Sequence, residues 1–139
     1  MIQSSVTNSY KEELFEGIHL EANDYYMALY TDSADLNKDT IGYITSGEVA
    51  NGDGYTTGGK KLENVLISID NDTALIDADD LTWDSSSIVA RGCLIYNNTL
   101  AGKNALAVFD FGENYTSVNG NFKVIIPNPT ESEALLRIV

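Results

Sequence analysis

One cysteine, one histidine and eight basic residues are all that 139 positions offer, and each shortage removes a class of function. A lone cysteine cannot close an intrachain disulfide. Cys93 lies in the apolar run Cys93-Leu94-Ile95-Tyr96, the usual setting of a buried structural thiol. A catalytic thiol needs a base beside it, and His19 is the sole imidazole. The eight Lys and Arg face 21 Asp and Glu, a net charge of −13. Phosphate neutralisation requires the opposite sign, so nucleic acid and anionic membranes are poor partners. No apolar run approaches the ~18 residues of a bilayer-crossing helix. Residues 1–8 show no basic stretch followed by an apolar core. No secretory signal is expected, and first folding is expected in a reducing cytoplasm.

What is present suits a single domain over residues 1–139. A chain of this size buries roughly two thirds of its unfolded surface and needs neither disulfide nor metal to hold a core. An apolar share of 43% argues against disorder. Ser9 is the expected cap of a short helix, with Tyr10, Leu14 and Ile18 about one turn apart and Glu12 and Glu13 near its positive end. Gly17 keeps that helix short. The remainder reads as strands over residues 25–31, 43–49, 62–70, 73–77, 88–96, 105–111, 122–126 and 135–139. In residues 62–70, Val65, Ile67 and Ile69 share one face, and Asp70-Asn71-Asp72 predicts a hairpin into the next strand. Turn-formers such as Asn51-Gly52-Asp53-Gly54, Asn119-Gly120-Asn121 and Pro127-Asn128-Pro129 separate the runs. The pattern predicts an all-β fold: an antiparallel β-sandwich, Ig-like or jelly-roll-like, with one short N-terminal helix. The last apolar run predicts a chain end tied into a sheet.

Several segments imitate chemistry. Gly54-Tyr55-Thr56-Thr57-Gly58-Gly59-Lys60-Lys61 nearly spells the phosphate loop G-x-x-x-x-G-K followed by Ser or Thr. Lys61 replaces the magnesium-binding hydroxyl, and the following residues alternate as a strand where the motif needs a helix. A flexible loop is the expectation there. Asp70, Asp72, Asp77, Asp79 and Asp80 lack the Gly and closing Glu of an EF-hand, and such residues in turns usually bond backbone. Carboxylates are too abundant for any pair to signal a glycosidase, and no Ser or Cys stands in a nucleophile elbow. No catalytic residue, metal or cofactor is expected, so the chain reads as a non-enzyme.

Four positions stand out as structural or interface candidates. Arg91 interrupts an apolar strand and needs a partner, with Asp77, Asp79 and Asp110 the candidates; a contact to another subunit is the alternative. Trp83 suits a core or rim anchor. Tyr26 lies where alternation is lost, so its strand is either central or turned towards a partner. Tyr55, with Tyr115, is an aromatic candidate for glycan contact.

The order of several segments resembles a family of small virion structural proteins of tailed bacteriophages. They are Tyr26-Met27-Ala28-Leu29-Tyr30-Thr31, Ser46-Gly47-Glu48-Val49, Gly54-Tyr55-Thr56-Thr57-Gly58-Gly59-Lys60 and Leu81-Thr82-Trp83-Asp84. Ala90-Arg91-Gly92-Cys93-Leu94-Ile95-Tyr96-Asn97, Ala107-Val108-Phe109-Asp110-Phe111-Gly112 and Gly120-Asn121-Phe122-Lys123-Val124 complete the set. Asp77-Ala78-Asp79 departs from the family pattern, which bears on local packing alone. The resemblance runs from about Asn8 to the end. It implies a virion component assembled in the host cytoplasm, most simply a head decoration or knob protein bound to the major capsid protein or another virion protein. The alternative is a tail- or fibre-associated adhesin binding through the loops at residues 51–60 and 97–103; a small hydrolase is a distant third.

Overall fold

The computed structural model describes residues 1–139, which form an all-β, sandwich-like fold with one short helix. In chain order the elements are β1 (Ser5–Val6), α1 (Asn8–Glu16), β2 (Tyr25–Tyr30), β3 (Lys60–Lys61), β4 (Leu66–Asp70) and β5 (Thr73–Asp77). They continue with β6 (Leu81–Ser86), β7 (Val89–Asn97), β8 (Ala105–Thr116), β9 (Gly120–Val124) and β10 (Leu136–Ile138). A five-stranded sheet runs β1-β8-β7-β2-β3; a three-stranded sheet β10-β5-β4 and a two-stranded sheet β6-β9 stand apart from it. All the strand pairs are antiparallel.

Lost alternation in the middle of the sequence has a direct cause: the centre of the large sheet is buried on both faces. On one face the rows Met27–Ile95–Ala107 and Leu29–Cys93–Phe109 meet Leu81, Trp83, Phe122 and Leu136 from the two smaller sheets. On the other, Ala28–Leu94–Val108 lies under Ile2, Ala34 and Leu36, with Tyr43 packed at the margin. A strand covered on both sides reads as a continuous apolar run. The second cover comes from residues 31–49, which the sequence cast in part as a strand over 43–49. Only isolated bridges form there, Leu36 with Ile2, Gly42 with Asn104 and Glu48 with Tyr30, because the segment crosses the sheet face instead of joining its edge.

The helix starts two residues earlier than expected. Thr7, not Ser9, is the cap: its backbone is extended and its Oγ1 accepts the Tyr10 N–H at 3.3 Å. The same hydroxyl donates to the Ala105 carbonyl at 3.0 Å, so the cap also anchors α1 to β8. Gly17 ends the helix in the left-handed region, φ 69°, with its N–H on the Glu13 carbonyl at 3.0 Å.

The hairpin predicted at Asp70-Asn71-Asp72 forms, pairing Asp70 with Thr73 across Asn71, whose φ of 51° suits a tight turn. Its first strand is shorter than the expected 62–70 and begins at Leu66. The face of Val65, Ile67 and Ile69 is only partly inward: Val65 packs on the core, whereas Ile69 is 72% exposed. Three strands were not foreseen: the two-residue edges β1 and β3, too short to show a pattern, and β6, whose apolar signal Thr82, Asp84 and Ser85 dilute. Ala78 is buried in the core.

The Gly-rich segment is packed rather than flexible. Gly59 has φ 85°, and a Cβ placed there would stand 1.9 Å from the Met27 carbonyl oxygen, so only glycine lets this segment lie against β2. Gly59→Ala is expected to destabilise the fold by about 2–5 kcal/mol, combining the left-handed backbone with an unrelieved clash. Urea unfolding of the variant measures it.

Candidate functional site

The buried chemistry-bearing clusters of the molecule are tied into its own scaffold. The densest is centred on Glu48, the only charged residue between Thr40 and Asp53. Its Oε1 accepts the Tyr43 phenol at 2.6 Å; its Oε2 accepts the Tyr55 phenol at 2.6 Å and the Gly58 N–H at 2.8 Å. The Tyr55 oxygen in turn accepts the Leu29 N–H at 3.0 Å, and Tyr96 donates to the Gly58 carbonyl at 2.6 Å. One carboxylate thereby pins residues 43 and 55–58 to the large sheet through short, charge-assisted bonds. Tyr55 is 2% exposed, so it cannot be the glycan-facing aromatic that the sequence suggested. Its neighbour Lys61 completes no phosphate loop: Lys60 and Lys61 form β3, and the Lys61 ammonium lies 3.2 Å from Asp24.

His19 sits beneath the end of α1. Its Nε2 is 2.8 Å from Glu13 Oε1 and its Nδ1 3.0 Å from Asn97 Nδ2. Asn97 Oδ1 accepts the Thr99 N–H at 3.1 Å, which orients the amide so that its NH₂ faces the ring. Nδ1 is then the acceptor, and Nε2–H donates to Glu13. An imidazole–carboxylate pair is part of a hydrolytic triad, but the position a nucleophile would take is held by an amide. Glu13 Oε2 also accepts from Asn104 at 2.7 Å, so the pair ties α1 to the loop between β7 and β8. Cys93 is fully enclosed, and burial pushes its thiol up to about 12, away from thiolate chemistry.

Arg91 finds its partner in Asp110, one of the three foreseen, with Nε 2.8 Å from Oδ1. The pair is half-exposed, not buried, because Arg91 occupies a bulge where the β7–β8 register shifts between Ala90 and Gly92. The Arg91 guanidinium and the Gly112 N–H hold the Asp110 carboxyl below the usual carboxylate range. Trp83 is a core anchor, stacked on Tyr55 at 6.3 Å and edge-on to Phe122 at 6.3 Å, with the Lys60 ammonium 5.7 Å above its ring. Tyr26 is half-buried beside Tyr96 at 5.9 Å, under the cover of residues 31–49. Two of the acidic group bond backbone: Asp70 accepts the Glu131 N–H at 2.7 Å and Asp80 the Ile126 N–H at 2.8 Å. Asp79 takes the Asn64 amide at 2.6 Å.

Concave sites are slight. Between the large and the three-stranded sheet lies a void of about 10 Å³ lined by side chains such as Val65, Ile67 and Leu136, too small for a ligand. A groove of about 420 Å³ beside β1 is lined only by polar residues, including Gln3, Lys38 and Asp39; ligand pockets are predominantly apolar. What the surface does offer is apolar area on the three-stranded sheet. Leu66, Ile67, Ile69 and Ile138 are all exposed there, and a row of paired residues joins Ile69, Ala74 and Ile138. Sequence reasoning placed Val65, Ile67 and Ile69 on one face, and nothing in their alternation distinguishes a covered face from an open one.

Fold and surface thus define an all-β, sandwich-like protein with exposed apolar side chains at several places, among them Phe15, Ile41, Val118 and Ile125, and grouped as a paired row on the three-stranded sheet. Set beside known proteins, the chain matches no family model, no curated protein and no solved structure.

The tyrosines make stability depend on alkali. Burial raises the phenols of Tyr10, Tyr25, Tyr30, Tyr43, Tyr55 and Tyr96, with Tyr10 pushed up to about 12. A raised folded value means that the native state prefers the protonated phenol, so its contribution is complete below the ordinary value of 10.0 and is lost as pH climbs through the folded value. The urea midpoint is expected to hold steady up to about pH 9 and fall steeply between about pH 10 and 12. Arg91→Ala is expected to shift that midpoint at neutral pH no more than an ordinary surface substitution does, since Asp110 keeps water and the Gly112 N–H.

Proposed function

We propose that this chain is a bacteriophage virion structural protein, specifically a capsid decoration or knob protein seated on capsomers of the major capsid protein. Its work is docking, not turnover. The observation that carries the docking role is the exposed row Ile69–Ala74–Ile138, where one face of the three-stranded sheet extends past the core it covers. Contiguous exposed apolar surface on a folded domain commonly marks a contact with another macromolecule. The virion assignment is supported by the ordered segments that resemble the phage family, from Tyr26-Met27-Ala28-Leu29-Tyr30-Thr31 to Gly120-Asn121-Phe122-Lys123-Val124.

Charge fits the same reading. A net charge of −13 disfavours contact with packaged DNA and suits an outer capsid surface, where it also keeps free copies apart before assembly. Assembly would take place in the host cytoplasm. The tail-adhesin alternative loses Tyr55 as an exposed aromatic and retains Tyr115, 49% exposed.

Purified protein added to particles lacking it is expected to occupy the head in many copies, visible as density repeated over the capsomers. Density confined to one vertex would transfer the protein to the tail. No binding to any capsid lattice would remove the decoration role.

A further inference from the structure

The edges of the sheets are not equally protected. In the large sheet both edge strands, β1 and β3, are two residues long, and β3 consists of Lys60 and Lys61. Short length and lysine are standard means of preventing strand addition. The two-stranded sheet is broken by an irregularity between Trp83 and Ser86. β4 has none of these defences. Its five residues, Leu66-Ile67-Ser68-Ile69-Asp70, pair with β5 in unbroken register and include no Lys and no Pro.

Register fixes which backbone groups of β4 remain available. Asp70 pairs with Thr73 across a two-residue turn, so alternate residues Ile67 and Ile69 turn their N–H and C=O outwards. The Ile67 N–H is met at 2.8 Å by Glu21 Oε2. A carboxylate oxygen there occupies the place that a carbonyl of an added strand would take. No such bond meets the Ile69 N–H, although its side chain is 72% exposed.

The geometry points to strand addition at β4 by an extended, basic segment of another protein, with Glu21 as the removable placeholder at Ile67. This rests on the docking reading above and gives it a surface and a partner chemistry. Charge selects the occupant. From Leu62 to Ala90 the chain contains no Lys or Arg, while Glu63, Asp70, Asp72 and Asp77 flank or face β4. A second copy would bring the same acids against these and another −13 of net charge. A strand alternating apolar residues with Lys or Arg would continue the Ile69–Ala74–Ile138 row on one face, pair its cations with the acidic rim, and leave Glu21 a cation to bind when displaced.

The full chain, ¹⁵N-labelled, is titrated with a short synthetic peptide alternating Lys and Val, and separately with its Glu–Val counterpart. The Lys peptide is expected to shift resonances around Leu66–Asp70 and to slow exchange of the Ile69 amide; the Glu peptide should do neither. Ile69→Pro removes a donor that the fold does not use, and is expected to weaken the Lys peptide about tenfold or more. Ile69→Lys, which keeps the donor but adds repulsive charge, should weaken it similarly and covers the case in which the proline variant unfolds. Equal binding of both peptides, shifts centred elsewhere, or dimerisation of the free chain through β4 in high salt would overturn the proposal. Particle binding separates it from the decoration reading. A folded Ile69→Lys chain that decorates capsids as fully as the parent sinks the β4 edge alone. A parent chain that binds the Lys peptide yet no capsid sinks decoration alone.

Discussion

Burial of the β2–β7–β8 sheet on both faces is the constraint from which the rest of the molecule follows. A two-sided sheet needs two covers, and one short helix and two small sheets supply only the first. The second must come from irregular chain, residues 31–49, whose backbone cannot satisfy itself in a ladder. Tyrosine solves that problem. Its ring fills the apolar layer while its hydroxyl reaches a carbonyl or carboxylate at the margin, as Tyr30 does with the Ile44 carbonyl at 2.5 Å. Glu48 gathers Tyr43, Tyr55 and Gly58 into one fixed point. The carboxylate is half-buried among groups that all donate to it, so its charge is satisfied without a cation.

With the large sheet committed on both faces, its exposed surface is confined to its edges. Its edges are short, its bulge at Arg91 is occupied by the Asp110 pair, and its Gly-rich loop is pressed on β2. The three-stranded sheet is where apolar side chains outrun the core they cover. Val65 and Ile76 reach the central cluster, whereas Ile69 and Ile138 project past it. The three-stranded sheet thus combines an acidic rim with an open strand, and the proposed docking role draws on both.

Strand identity was legible where patterning was strong. The hairpin at Asp70–Thr73, the long run through Arg91 and the tied-down C-terminus all follow from apolar periodicity and turn residues. Composition narrowed the partner of Arg91 to Asp77, Asp79 and Asp110, and pairing of β7 with β8 selects Asp110. Tertiary choice was less visible. Thr7 is preferred to Ser9 as a cap because its hydroxyl also meets Ala105, a contact across nearly the whole chain. Residues 43–49 have strand-like composition but serve as a lid on a sheet face. Glu48 carried one readable signal, an isolated charge between tyrosines, and its role needed the spatial meeting of Tyr43 and Tyr55. Likewise, the alternation of Ile67 and Ile69 states that they share a face, not how far the core beneath it extends.

Native-state hydrogen exchange tests the double-covered sheet most directly. If residues 31–49 and the Gly-rich segment are integral covers held by Glu48, the Gly58 amide should exchange only with global unfolding, alongside the Leu29 amide in β2. The outward amide of Ile69 should exchange fast in the same experiment. A Gly58 amide that exchanges at the rate of an exposed loop, while Leu29 stays protected, would contradict the account.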